Sequence, residues 1–456
     1  MDFFRGLKRL WRHKLFRQLV AVRVGTQTSD GILQIGMAAY VLFSPQDQPD
    51  AASIALVLAI TLLPFSIIGP FVSLTLDRFN RRTIAVVTDS CRVLIALMLG
   101  ALVLNPDLRE HWSMWLFYGG VLVAMSLNRY LLAGLSAALP HTVDEDEYLM
   151  GSSVMPTIGP AGVLIGAAVA FGIRFGASTR LETYQADALI FLTSAIGFGV
   201  TACLAMRIPR RALGPDLDSG ESMTTHAWEV LKGLGHALAH LVERRPAGIG
   251  LVAIGLQRII YGMTQVATIL LFRNWFHDVD DVPSAMADIA LWAGLTGVGF
   301  VASAVVVPPL ARRVGIRRAM VVLLVVAGAV QIVPGSIFLL PTLAVAGFVL
   351  GLCSQSLKIC VDTLVQAHID DDFKGRVFTV YDMIFNASFV LAAVLVAWSF
   401  PPDGHALGGF VLLGVLLMVV GIAFWLRTKL IGSPTFDRGT GFDPAQRAAE
   451  SPTGSG

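Results

Sequence analysis

The sequence predicts an all-α integral membrane protein with twelve transmembrane helices in two pseudo-symmetric six-helix bundles. Three observations carry that expectation. The 456 residues are 55% hydrophobic and only 14% charged, where a soluble chain carries about a quarter charged residues. Apolar windows of the roughly 20 residues that a bilayer core requires recur from Gln18 to Arg427, with none of the short alternating segments of a β-barrel. A polar stretch from Arg207 to Arg245 divides these windows into two groups of six.

The elements follow in order. Residues 1–17 interleave basic residues with Phe3, Leu7, Leu10, Trp11 and Leu15, a spacing that suits an amphipathic helix on the inner leaflet. A solvated basic tail is the alternative, and no cleavable signal pattern is evident. The first bundle covers residues 18–206, with spans at 18–43, 51–76, 83–104, 112–138, 150–173 and 184–206. The linker is residues 207–246. Its second part, THAWEVLKGLGHALAHLVE, has helical periodicity through Trp228, Leu231, Leu234, Leu238 and Leu241 and is expected along the membrane surface. The second bundle covers 247–427, with spans at 247–273, 284–310, 316–340, 341–366, 376–400 and 405–427; the ninth and tenth meet at Pro341 with almost no loop. Residues 428–456 are too polar to bury a core and are expected to be disordered.

Lysine and arginine placement orients the chain. With both termini inside, 25 basic residues are cytoplasmic, 4 are outside and 5 lie within spans. This asymmetry puts both ends on the cytoplasmic side of a plasma membrane. The four cysteines, Cys91, Cys203, Cys353 and Cys360, lie in apolar segments without metal-ligand or CxxC spacing, so they are expected as packed, reduced thiols. The nine histidines form no ligand cluster, and neither a metal nor a cofactor is expected.

One stretch concentrates charge between two apolar runs: SLTLDRFNRRT, Ser73 to Thr83. PLARRVGIRR, after span 8, echoes it with a basic residue, a turn former and two arginines. ALPHTVDEDE after span 4 is likewise echoed by VQAHIDDDFKGR after span 10. Parallel six-span halves with a long linker mark one large class of secondary transporters.

On these residues the chain resembles the major facilitator superfamily. The family's loop signature, Gly-x-x-x-Asp-Arg-x-Gly-Arg-Arg, is matched by Ser73, Asp77, Arg78, Asn80, Arg81 and Arg82. Both glycines are replaced, and Asn80 is expected to stand in because Asn visits left-handed backbone conformations. In the second half Gly315 is kept, while Arg312 occupies the acid's position and Arg317 follows. The resemblance covers residues 15–430. SDGI in span 1, DSCR in span 3 and FKGRVFTVYD at the start of span 11 are similar to the branch holding the enterobactin and macrolide exporters. The resemblance implies a cytoplasmic gate, in which Asp77 contacts the start of span 11 when the inner side is closed. Asp77, Arg78, Arg81, Arg82, Asp89, Arg92, Arg312, Arg317, Asp362 and Asp382 are its candidates. The arginines alternatively serve only as positive-inside anchors.

Charged residues inside spans are costly and mark function or pairing. Asp89 with Arg92, and Lys358 with Asp362, have helix-pair spacing. Arg23, Gln27, Asp30 and Gln34 form one polar stripe on span 1, as on a pore-facing helix, although Arg23 is near enough to the cytoplasmic end to snorkel. Gln257, Arg258 and Gln265 put polar groups on span 7, the counterpart of span 1. Arg129 in span 4 loosely matches the family's coupling arginine. Asp30, Arg23, Gln27, Gln34, Arg129, Arg258, Gln265 and Lys358 are therefore the candidates for cavity lining and proton coupling, with Asp30 first and Arg129 or Arg258 as its expected partner. A buried structural network is the alternative. GPAG in span 5, Gly159 to Gly162, resembles an antiporter signature without its double glycine; packing through Gly159, Gly162 and Gly166 explains it equally.

The absence of GxxxxGK[ST] and HExxH argues against a nucleotide-driven pump and a membrane metalloprotease, so no enzyme is expected. Proton-coupled export of an amphiphilic small molecule leads. A lipid flippase on the same fold and a non-transporting sensor or scaffold stay open. Tyr40, Tyr130, Tyr261 and Tyr381 are aromatics at expected cavity positions. The expected partners are a small-molecule substrate, protons and the bilayer, with no nucleic acid and a monomeric chain.

Overall fold

The structure, a computed structural model, describes residues 9–42, 56, 59, 60, 62, 79–105, 111–144, 148–177, 181–210, 212–214, 227–278, 281–438 and 440. Most of span 2 and its loop through Arg78, residues 1–8 and the tail beyond Thr440 lie outside them. In the first half come α1 (Lys14–Leu42), α2 (Arg81–Leu104), α3 (His111–Ala138), α4 (Tyr148–Ala177) and α5 (Thr183–Met206). Helix α6 (Ala227–Glu243) is the linker helix. The second half holds α7 (Arg245–Leu270, extended by a π-turn at Leu271–Trp275), α8 (Val282–Val314), α9 (Ile316–Ile332), α10 (Leu340–His368), α11 (Asp371–Ser399) and α12 (Leu407–Lys429).

The fold is the all-α, twelve-helix membrane architecture with two bundles. Nine described helices are long and apolar enough to cross a bilayer. Two more occupy predicted spans: α1, whose polar stripe dilutes its apolar character, and α9, which at 17 residues is the short end of the spanning range. The two spans expected to meet at Pro341 are separated by Val333–Leu339; Pro334 follows the end of α9, and Pro341 sits in the first turn of α10, where its missing N–H costs nothing.

Two compact units divide within α6, between Val230 and Leu231. In the first, α1 packs on α4 and α5, and α2 on α5. In the second, α7 packs on α11, and α9 on α12. Spans 1, 3, 5 and 6 thus pair internally as spans 7, 9, 11 and 12 do. Glycines allow the closest approaches. A Cβ at Gly162 would come within 3.0 Å of the Val24 carbonyl oxygen, and one at Gly166 would collide with the Thr28 carbonyl. The GPAG segment therefore serves helix packing between α4 and α1, through small residues that bring backbones together.

Three expectations change at the ends of the units. Of the amphipathic surface helix expected over residues 1–17, Arg9 and Leu10 are helical, residues 11–13 break it with a turn before α1 begins at Lys14, and residues 1–8 lie outside the described residues. Leu10 is fully buried in a cluster with Phe16, Leu19, Leu135 and Leu213, so its apolar surface goes to the protein core. The linker helix forms as predicted but carries two apolar faces: Ala237 and Leu241 are buried in the second unit's core, whereas Trp228, Leu238 and Val242 are exposed. The third change is in the tail. Instead of being disordered from its start, it turns at Gly432 into a short helical turn, Ser433–Phe436, and folds back on the second unit. Phe436 is fully buried edge-on against Phe424, with ring centroids 5.7 Å apart. Asp437 Oδ1 accepts the backbone N–H of Arg317 at 3.0 Å, satisfying one of the orphan donors in the first turn of α9.

This docking predicts that Asp437→Ala lowers the stability of the purified protein by about 0.5–2 kcal/mol, the usual cost of losing an N-cap acceptor, and that Phe436→Ala costs about 3–5 kcal/mol. Thermal unfolding in detergent checks both; two wild-type melting profiles would show the tail to be an unattached passenger.

Candidate functional site

The end of the loop after span 2 is fixed by residues at the start of α2. Asn80 has φ −58° and ψ 126°, and its side-chain oxygen accepts the Arg82 backbone N–H at 2.9 Å. This corrects the expectation of a left-handed asparagine: Asn80 replaces glycine as the N-cap of α2, a role for which its side chain is well suited. Arg82 donates to the Met206 carbonyl at 2.8 Å and Arg81 to the Leu213 carbonyl at 3.4 Å. The Arg82 guanidinium thus sits at the C-terminal end of α5, where a cation complements the helix dipole, and Arg81 holds the segment that follows it. The positive φ that the motif reserves for glycine occurs in the second half, at Gly315, φ 81°. Asp77 and Arg78 lie outside the described residues. Arg312 and Asp382 are exposed, and Arg317 is buried beneath the tail.

The densest polar cluster is inside the first unit. Asp30 near the middle of α1 and Arg92 at the middle of α2 form an ion pair with both side chains fully buried. Arg92 also reaches Asp89 Oδ1 at 3.2 Å and Thr26 Oγ1 at 2.9 Å. Thr26 donates to Asp89 Oδ1 at 3.0 Å, and Thr201 of α5 donates to Asp89 Oδ2 at 2.7 Å. Gln27 donates to Asp30 Oδ2 at 3.2 Å and to Asn128 of α3 at 3.3 Å. The Arg92 guanidinium lies 3.9 Å from the Phe198 ring centroid, a cation–π contact that is strongest when desolvated. Four helices are tied together through one cation.

This arrangement changes several site assignments. Asp30 pairs with Arg92, not with Arg129 or Arg258. Asp89 and Arg92, candidates for the cytoplasmic gate, belong to the buried cluster. Asn128 rather than its neighbour Arg129 enters it, and Arg129 is half-buried. Arg23, 8% exposed, donates to Ser136 of α3 at 3.3 Å; it bonds within the unit and does not snorkel. Gln34 is half-buried. Thr26 was missed, although its place four residues before Asp30 on α1 could have signalled it. Thr201 and Phe198 carried no such signal, because nothing in span 6 singles them out.

The second unit has a different character. Arg258 of α7 is 2% exposed and lies 3.8 Å from the Phe385 ring centroid, with Tyr261 and Phe389 each at 5.8 Å. Lys358 and Asp362 pair at 2.8 Å along α10, and Lys358 stands 5.3 Å from the Tyr381 ring. Gln257 donates to Ser354 at 3.1 Å. Tyr261 and Tyr381 are buried, whereas Gln265, Tyr40 and Tyr130 are half-buried. One cluster of the second unit had no sequence signal. Arg244 grips both Asp370 oxygens, at 2.7 and 2.8 Å, and His240 stacks on Phe373 with centroids 4.5 Å apart. The Arg244 hydrogen bond holds the exposed Asp370 carboxylate below the usual carboxylate range. Among the described residues no His, Cys, Asp and Glu group could hold a metal ion.

No protein-family model matches the chain. An uncharacterized MFS-type transporter of Mycobacterium tuberculosis and one of Mycobacterium bovis are each 30% identical to it over 434 residues, covering 95% of this chain and 94% of theirs. Among solved structures, the nucleoside transporter NupG matches with a TM-score of 0.65 at 13% identity, over 91% of this chain and 99% of that one. The peptide transporter POT in complex with sulfate matches with a TM-score of 0.66 at 13% identity, over 94% and 96%. At that identity the structural likeness speaks for the fold alone.

The cluster's charge makes a direct prediction. Arg92→Gln leaves Asp30 and Asp89 buried without a cation, and removing one partner of a buried pair costs about 3–5 kcal/mol. The variant should be recovered poorly and melt early. Adding Asp30→Asn and Asp89→Asn should restore most of the loss, because neutral groups can share the same hydrogen bonds. A triple variant no more stable than the single one would show that Arg92 acts through packing on Phe198.

Proposed function

The chain belongs to the MFS-type transporters, and from that premise we propose that it is a secondary transporter exporting an amphiphilic small molecule in exchange for protons by alternating access. One observation carries the coupling. Asp30 and Asp89 share a single guanidinium, so the buried cluster holds one more negative than positive charge when both acids are ionised. An unbalanced charge in a low-dielectric interior is costly, and one proton balances it. Asp89 takes hydrogen bonds from Thr26, Thr201 and Arg92. Among the described residues Asp30 takes them from Gln27 and Arg92 alone. Asp30 has the emptier acceptor set and is the carboxylate to which we assign the proton. Its cluster links α1, α2, α3 and α5, so protonation changes the forces among four helices at once. A state-dependent proton affinity is what ties a proton to a conformational change.

The amphiphilic substrate is supported by the aromatic surround of Arg258 and Lys358, where Tyr261, Tyr381, Phe385 and Phe389 combine apolar area with cations. The direction, export, rests on the resemblance of SDGI, DSCR and FKGRVFTVYD to exporters. The basic asymmetry of 25 inside to 4 outside supports cytoplasmic termini.

Proteoliposomes with an imposed pH difference and a panel of amphiphiles test the mechanism. Wild type should accumulate at least one compound against its gradient. Asp30→Asn should exchange that compound down its gradient but fail to concentrate it. Undiminished pH-driven accumulation by Asp30→Asn would remove Asp30 from coupling, and no pH-driven movement of any compound by wild type would remove proton coupling itself. For topology, Ser222→Cys and Ser451→Cys should resist an impermeant thiol reagent in intact cells; rapid labelling at either overturns the orientation.

A further inference from the structure

Where α1 begins and α5 ends, the first unit forms a concave pocket of about 270 Å³ lined by Lys14, Arg17, Gln18, Ala21, Leu204 and Arg207. Its polar wall is cationic. Among the described residues no carboxylate lines it, and Lys14, Arg17 and Arg207 make no ion pair. Their neighbours fix its shape. Arg17 donates to the Trp11 carbonyl at 2.7 Å and the Arg12 carbonyl at 3.3 Å, and Gln18 donates to the Arg207 carbonyl at 3.5 Å across the two helices. Phe16 and Leu19 are fully buried beneath it, which anchors this turn of α1. Ala21 and Leu204 give the pocket an apolar side. Trp11, 47% exposed and stacked edge-on to Phe16 at 6.1 Å, stands beside it as tryptophans do at membrane–water interfaces.

We propose that this pocket binds the phosphate headgroup of an anionic phospholipid. Three cations without an ion-pair partner among the described residues supply the charge in a concavity, two basic side chains and an amide supply donors for phosphate oxygens, and the apolar side receives the first methylenes of an acyl chain. A pocket for a fully hydrated anion has no use for Ala21 and Leu204. A basic pocket between transmembrane helices on the cytoplasmic side is the general form of such sites. The occupant also bridges α1 to α5, whose separation the buried Asp30–Arg92–Asp89–Thr201 cluster constrains from inside.

Titration of short-chain phosphatidylglycerol into the detergent-purified full chain, in zwitterionic micelles, tests this independently of membrane sidedness and of any transported substrate. Phosphatidylglycerol should bind at least about tenfold tighter than phosphatidylcholine. Lys14→Gln, Arg17→Gln and Arg207→Gln should each weaken it about fivefold, the loss expected for one surface cation facing an anionic lipid. The exposed pair Arg427→Gln with Lys429→Gln, at the end of α12, should leave the preference intact. Should Arg17→Gln fold poorly, Lys14→Gln, exposed at the rim, carries the test alone. Equal lipid preference in the pocket variants and wild type, or an equal loss in the α12 control, overturns the site in favour of diffuse surface charge. Inorganic phosphate binding as tightly as phosphatidylglycerol overturns the lipid as occupant and makes the pocket a free-anion site.

Discussion

The first unit is organised around one desolvated guanidinium. Arg92 is fully buried at the middle of α2, in contact with two carboxylates, a threonine hydroxyl and the face of Phe198. In a bilayer such a cation cannot be left without partners, so α1 must present Asp30 and Thr26 at its level. The other constraints follow. Thr201 completes Asp89, fixing α5, and Gln27 joins Asp30 to Asn128, fixing α3. The glycines of α4 then let that helix lie directly against the back of α1. A polar network of this kind specifies one arrangement, because a partly satisfied version is worse than none.

The second unit meets the same helix-end problems with different residues. In the first half, Asn80 caps α2 and Arg82 holds the end of α5. In the second, Gly315 makes the turn and no adjacent side chain caps α9; a carboxylate 120 residues on, Asp437, does so instead. The acid position of the second-half loop is Arg312, and the tail brings an acid to the neighbouring helix start. Divergent halves of a duplicated fold thus keep a local requirement, a satisfied N-terminal N–H, while changing which part of the chain meets it.

The clusters of the two units also differ in sign. Asp30, Asp89 and Arg92 carry an excess of negative charge, whereas Arg258, Lys358 and Asp362 carry an excess of positive charge softened by aromatic rings. An unbalanced carboxylate suits proton binding, and cations with aromatic neighbours suit an amphiphile. The duplicated scaffold gives each half room for its own chemistry.

The sequence by itself determined the helices, their order and the two-bundle fold, because a bilayer imposes length and apolarity on every span independently of its neighbours. It also marked Asp30, Asp89, Arg92, Arg258, Lys358 and Asp362 as residues requiring an explanation, since each is a charge in an apolar run. Spacing along one helix made the Lys358–Asp362 pair legible. Only the tertiary structure decided the rest: that Asp30 meets Arg92, that Thr201 and Asn128 join them, that Asn80 caps instead of turning left-handed, and that Leu10, Phe436 and Asp437 are buried. The physical reason is the same in each case. Periodicity says which face of a helix a residue occupies, but which helix lies opposite, and at what height, depends on contacts between segments tens to hundreds of residues apart. Those contacts are settled by packing and by the demand that every buried charge find a partner.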